Sequence, residues 1–96
     1  MNINENAIHF NIQGGGVTIK VVGHSGEGAV LGPTLEIKSQ MAGHTLGFSS
    51  IHMKGESLRE LANFLHNEAD KFDELKKEGA CVEHPFAVSS NILNKD

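Results

Sequence analysis

Apolar and polar residues alternate near the start of the chain. Ile8, Phe10 and Ile12 are separated by His9 and Asn11, and a period of two predicts a strand with one buried face. Gln13-Gly14-Gly15-Gly16 follows, a run that reaches positive φ at no steric cost and so predicts a turn. Val17 to Val22 alternates again, and the two runs together predict a β-hairpin.

From residue 23 the period is lost. Gly23-His24-Ser25-Gly26-Glu27-Gly28-Ala29-Val30-Leu31-Gly32-Pro33 predicts a loop with room for a short strand at residues 29–31. Leu35 and Ile37 against Glu36 and Lys38 predict a third strand over residues 34–40, and Met41-Ala42-Gly43-His44 a turn. Residues 45–54 read as a fourth strand that changes phase, since Leu46 and Phe48 share one parity and Ile51 and Met53 the other. An extra residue near Ser49-Ser50 would restore the phase, which predicts a bulge there.

The pattern then switches to a helical period. Leu58, Leu61, Ala62, Leu65, Ala69 and Phe72 fall on one stripe, with Phe64 and Leu75 widening it. Ser57-Leu58-Arg59-Glu60 has capping-box spacing and sets the expected start. Lys76 and Lys77 suit the end of the dipole, and Gly79 suits the residue after it. Residues 80–96 are ambiguous: Val82, Phe86, Val88, Ile92 and Leu93 could give an extra strand or a packed or mobile tail, with Pro85 excluded from a central strand.

The expected fold is therefore a single α+β domain over residues 1–96. It has two layers: a four-stranded antiparallel sheet with one long amphipathic helix packed on one face. Ile8, Phe10, Ile12, Val17, Ile19, Val21, Leu35, Ile37, Leu46 and Phe48 are the expected inward set.

Charge and composition narrow the function. The formal net charge is −4, with eight Lys and Arg against twelve Asp and Glu. Nucleic-acid binding needs clustered bases, so direct contact with nucleic acid is disfavoured. The acids concentrate in residues 56–78. Cys81 is the single cysteine, which allows no internal disulfide and points to a reducing compartment. Met1-Asn2-Ile3-Asn4-Glu5-Asn6 lacks the regions of a signal peptide. No apolar run approaches the ~20 residues needed to span a bilayer. The expected location is the cytoplasm.

No residue set spells out catalysis, and neither a cofactor nor a metal site is expected. Gly23-His24-Ser25-Gly26-Glu27-Gly28 lacks the lysine of a phosphate-binding loop and has no helix behind it. Its glycines still allow backbone amides to converge on an anion. His24, Ser25, Gly26, Glu27 and Gly28 are thus the candidates for a small-ligand or nucleotide-binding, sponge-like role. Six histidines are scattered at 9, 24, 44, 52, 66 and 84. Cys81 and His84 have the spacing of half a zinc site without the other half. The flank of the helix is the candidate protein interface, with Phe64, Glu68, Asp70, Asp73 and Glu74 as the partner-binding residues.

The strand at 45–54 followed by Ser57-Leu58-Arg59-Glu60-Leu61-Ala62-Asn63-Phe64-Leu65-His66-Asn67-Glu68-Ala69 resembles small phage-encoded anti-defence inhibitors of the anti-CRISPR kind. The resemblance implies a short sheet followed by one acidic helix. It also implies a stoichiometric inhibitor that binds a host protein in the host cytoplasm. A charge of −4 is low for such inhibitors that mimic DNA. Self-association into a homo-oligomer is a further expectation.

Overall fold

A computed structural model describes residues 5–95. The sequence reading of residues 1–4, and Asp96 at the end of the 80–96 segment, lie outside these. The described chain divides into two units, one holding the sheet and the other spanning Lys54–Ala87.

The sheet is antiparallel and open. Its strands are β1 (Glu5–Ile12), β2 (Gly15–Gly26), β3 (Ala29–Met41), β4 (His44–His52) and β5 (Ser90–Lys95), ordered β4-β3-β2-β1-β5. The expected count of four is corrected to five. The fifth strand comes from the ambiguous tail: Asn91, Ile92 and Leu93 pair with His9, Ile8 and Ala7. Pro85 lies outside the strand, so its missing N–H does not oppose this pairing.

Register decides which residues share a face. Ile92, Ile8, Ile19 and Ile37 stand opposite one another in successive pairs. Phe10 pairs with Val17, and Val21 with Leu35, which in turn pairs with Ile51. Residues directly opposite share a face, so one face is an aliphatic band. The other carries His9 with Thr18, Lys20 with Glu36, and Thr34 with His52.

Two members of the expected inward set fall elsewhere. Ser39 pairs with Gly47 and Gln40 with Thr45, which leaves Leu46 as the bulged residue. The phase of β4 therefore changes at Leu46, upstream of Ser49-Ser50. Leu46 is exposed, Phe48 pairs with Lys38 on the polar face, and Ile51 stands beside Leu35 instead.

The glycines of the first hairpin have two roles. Gly14 has φ 84° and turns the chain. Gly15 and Gly16 are already in β2, where a side chain would collide with the Gln40 and Phe10 carbonyl oxygens respectively. The 23–33 segment is a second hairpin rather than a loop. Gly26 pairs with Ala29, Ser25 with Val30 and His24 with Leu31, around a Glu27-Gly28 turn. Gly23 opposes both Gly32 and Pro33, so the irregularity is a bulge in β3, a position that tolerates proline. The Gly32–Pro33 bond is cis.

Helix α1 spans Gly55–Lys77. It begins two residues before the expected cap. Lys54 is the N-cap and has no side-chain cap bond, while the Ser57 N–H donates to the Lys54 carbonyl at 3.0 Å. Ser57 is therefore inside the first turn, and no capping box forms. The other end closes as expected: Gly79 has φ 73°, its N–H bonds the Lys76 carbonyl, and the Ala80 N–H bonds the Leu75 carbonyl. This pair of bonds is a Schellman motif. No residue of the helix is buried. Among the described residues, the buried ones are Gly16, Thr34 and Leu35.

Candidate functional site

The polar face of the sheet holds an open cleft of about 430 Å³ beside the β3 bulge. His24, Leu31, Gly32, Pro33, Thr34, His52 and Met53 line it. The register explains how these residues meet. Thr34 and His52 are a directly opposed pair of β3 and β4, while the bulge brings His24 of β2 against Leu31. Thr34 is 1 % exposed, and its hydroxyl lies 2.9 Å from Nδ1 of His52. The His24 and His52 rings meet edge to face, with centroids 6.5 Å apart. The Met53 N–H donates to the Pro33 carbonyl at 2.9 Å, which fixes that backbone at the rim.

The cleft is thus a largely aliphatic recess with two imidazoles on its wall. Its size is that of a small-ligand site. A second imidazole–hydroxyl pair, His9 Nδ1 with Thr18 at 2.8 Å, recurs on the polar face. That pair is held against its strand neighbour and does not line the cleft.

Of the glycine-rich candidates, only His24 lines the cleft. Ser25 and Gly26 are strand residues paired with Val30 and Ala29, and Glu27 and Gly28 form the exposed hairpin turn. Ladder pairing engages backbone groups that a convergent anion cradle would need.

The five helix candidates do not share one face. At 100° per residue, Phe64 and Glu68 lie about 40° apart, while Asp70 and Asp73 lie about 120° and 180° from Phe64. Part of the charge is neutralised locally. Glu68 pairs with Lys71 at 3.1 Å, Glu74 with Lys77 at 3.3 Å, and Asp70 lies 3.7 Å from His66. Phe64, Leu65 and Phe72 are all at least half exposed, at 58 %, 56 % and 50 %.

Cys81 and His84 each make a local contact. The Cys81 thiol is 3.5 Å from the Val82 carbonyl. His84 Nδ1 accepts from the Phe86 N–H at 3.0 Å, and the His84 carbonyl accepts from the Ala87 N–H. His84 thus organises a turn around Pro85. Among the described residues, no group of three or more His, Cys, Asp and Glu is placed to hold a metal ion.

Sequence reasoning missed the meeting of His52 and Met53 with His24. The available signal was the excess of histidine, but only the β2-β3-β4 register converts it into a cluster. No protein-family model matches this chain, and no curated protein or solved structure matches it either. No helix among the described residues is long and apolar enough to cross a membrane.

Proposed function

We propose that the protein is a non-catalytic binding module that acts by stoichiometric contact with another protein through its helix. The observation that carries this reading is Phe64, a large aromatic side chain 58 % exposed beside Glu68. Exposed apolar side chains rimmed by charge are typical of interaction surfaces. In this reading the fold has two layers. It requires Leu58, Leu61, Leu65 and Phe72 to close on the aliphatic band of the sheet, although Leu65 and Phe72 are half exposed, and it leaves Phe64 and Glu68 on one flank of the helix. Asp70 and Asp73 lie on the opposite flank, and Glu74 lies about 80° from Phe64. The resemblance to phage anti-defence inhibitors supplies the partner class, a host defence protein in the host cytoplasm.

Quantitative affinity purification from a bacterial host tests this. The wild-type chain should retain one host protein in near one-to-one amount. Phe64→Asp should release it, and so should joint reversal of Asp70, Asp73 and Glu74 to Lys. Retention by Phe64→Asp at the wild-type level would remove the helix flank as the contact. Folding of each variant is checked by circular dichroism.

A further inference from the structure

Strand β4 forms one border of the sheet, and all nine of its residues, His44–His52, are exposed. Its sequence, His-Thr-Leu-Gly-Phe-Ser-Ser-Ile-His, holds no Lys, Arg, Asp, Glu or Pro. Charges and proline are the means by which sheet borders ordinarily discourage further pairing. We propose that this border is an interface for a second copy of the chain. In it β4 pairs antiparallel with β4 of the second copy, about a twofold axis at Ser50, and the two sheets become one.

One hydrogen bond fixes which peptide groups of β4 are open. The Met53 N–H donates to the Pro33 carbonyl at 2.9 Å, and the next pair along is Thr34 with His52. Bonded and non-bonded pairs alternate in an antiparallel ladder. Gly47, Ser49, Ile51 and Met53 therefore turn their peptide groups toward β3, while Phe48, Ser50 and His52 turn theirs to the open side. The bulge at Leu46 interrupts the alternation, so the regular border runs from Gly47 to Met53, about 20 Å.

This segment is its own complement. With Ser50 opposite Ser50 of the second copy, Phe48 and His52 face each other twice, and Ser49 faces Ile51 twice. The outward residues then form bonded pairs that supply about six backbone hydrogen bonds. No like charges are opposed, a condition that matters for a chain of net charge −4. The twofold keeps each face on its own side. Phe48 and His52 lie on the polar face with Lys38 and Thr34, and Ile51 extends the aliphatic band beyond Leu35. Phe48 is 57 % exposed and Ile51 52 %, and the pairing covers part of both. The competing arrangement sets β4 against β5 of another copy. Strand β5 ends in Lys95, and such a head-to-tail contact runs on into fibres, whereas the twofold contact stops at two copies.

Sedimentation equilibrium of the whole chain tests this. The average mass should rise from one chain toward two between about 10 µM and about 1 mM, and no further. Ser50→Pro and Ser50→Lys should each weaken association by at least about tenfold. Both spare the single chain, because the Ser50 N–H makes no bond to β3 and position 50 stands opposite Glu36; circular dichroism checks the fold. Phe64→Asp should leave the association unchanged, which separates this border from the helix contact. Amide exchange on the wild type reads the register without any variant. The amides of Phe48, Ser50 and His52 should exchange at least about tenfold more slowly at the high concentration than at the low one, while those of Ser49 and Ile51 stay protected at both. A mass of one chain at about 1 mM, growth beyond two chains, wild-type association in Ser50→Pro, loss of association in Phe64→Asp, or exchange of the three outward amides that ignores concentration would each overturn the proposal.

Discussion

Replacing Leu35 by alanine tests whether the β2-β3-β4 register holds the sheet together. Leu35 is the buried apolar side chain of β3, at 9 % exposure, and stands between Val21 and Ile51. Removing buried leucine methyls loses transfer free energy and leaves a cavity, together about 2–5 kcal/mol. Val21 and Ile51 are 38 % and 52 % exposed, so water already reaches this region and the void opens instead of staying sealed. The cost should therefore sit at the low end, about 2–3 kcal/mol. A chain of 96 residues has a total stability of about 5–14 kcal/mol, so this is a large fraction. The melting temperature should fall by about 10–20 °C, at 4–8 °C per kcal/mol. The chain has no Trp or Tyr, so urea unfolding is followed by far-ultraviolet circular dichroism, with an unchanged slope confirming the same transition. Leu31→Ala is the control. Leu31 is 63 % exposed and should cost less than about 0.5 kcal/mol. Equal losses in the two variants would refute the register and the placement of the core.

Gly16→Ala should destabilise by about 1–3 kcal/mol, because the added Cβ would lie 2.5 Å from the Phe10 carbonyl and 2.6 Å from the His9 ring. Thermal denaturation checks this, and no loss would show that β1 and β2 are further apart. Ala42 holds φ 51° in the turn before β4, so Ala42→Asn should raise stability by about 0.5–1 kcal/mol; a decrease in urea midpoint contradicts that turn. Lys54→Asp should add about 1 kcal/mol by supplying the missing N-cap. Ser57→Ala should change stability by under about 0.5 kcal/mol, and the reverse order of these two would restore Ser57 as the cap. Leu65 is 56 % exposed, so the proposed two-layer fold requires it to become buried; Leu65→Ala then costs about 2–5 kcal/mol, whereas a loss under about 0.5 kcal/mol would separate the stripe from the sheet.

The sequence made the hairpin of β1 and β2 readable because its alternation is strict and its turn rich in glycine. The helix was readable for the same kind of reason, in its 3.6-residue period and its Gly79 stop. The departures have local causes. Alternation at residues 23–33 was masked by glycines, which have no side chain to mark a face, so a hairpin looked like a loop. The phase change in β4 was visible, but pairing alone locates the extra residue at Leu46. Ser57 matched a capping pattern that the chain bypasses by starting its helix at Gly55. Strand β5 was uncertain because Ile92 and Leu93 are adjacent and so carry no period. The cleft was the least readable feature. His24, Thr34 and His52 come from three strands, and their proximity depends on two registers and a bulge.

Strand β5 forms the border of the sheet beside β1, so that Ile92 lies against Ile8. During translation at about 5–20 residues per second, the 84 positions between them take about 4–17 s to emerge. Throughout that interval β1 is a bare border with unsatisfied peptide groups, open to strands of neighbouring nascent chains. Completion of β5 passes that border role from β1 to residues 90–95.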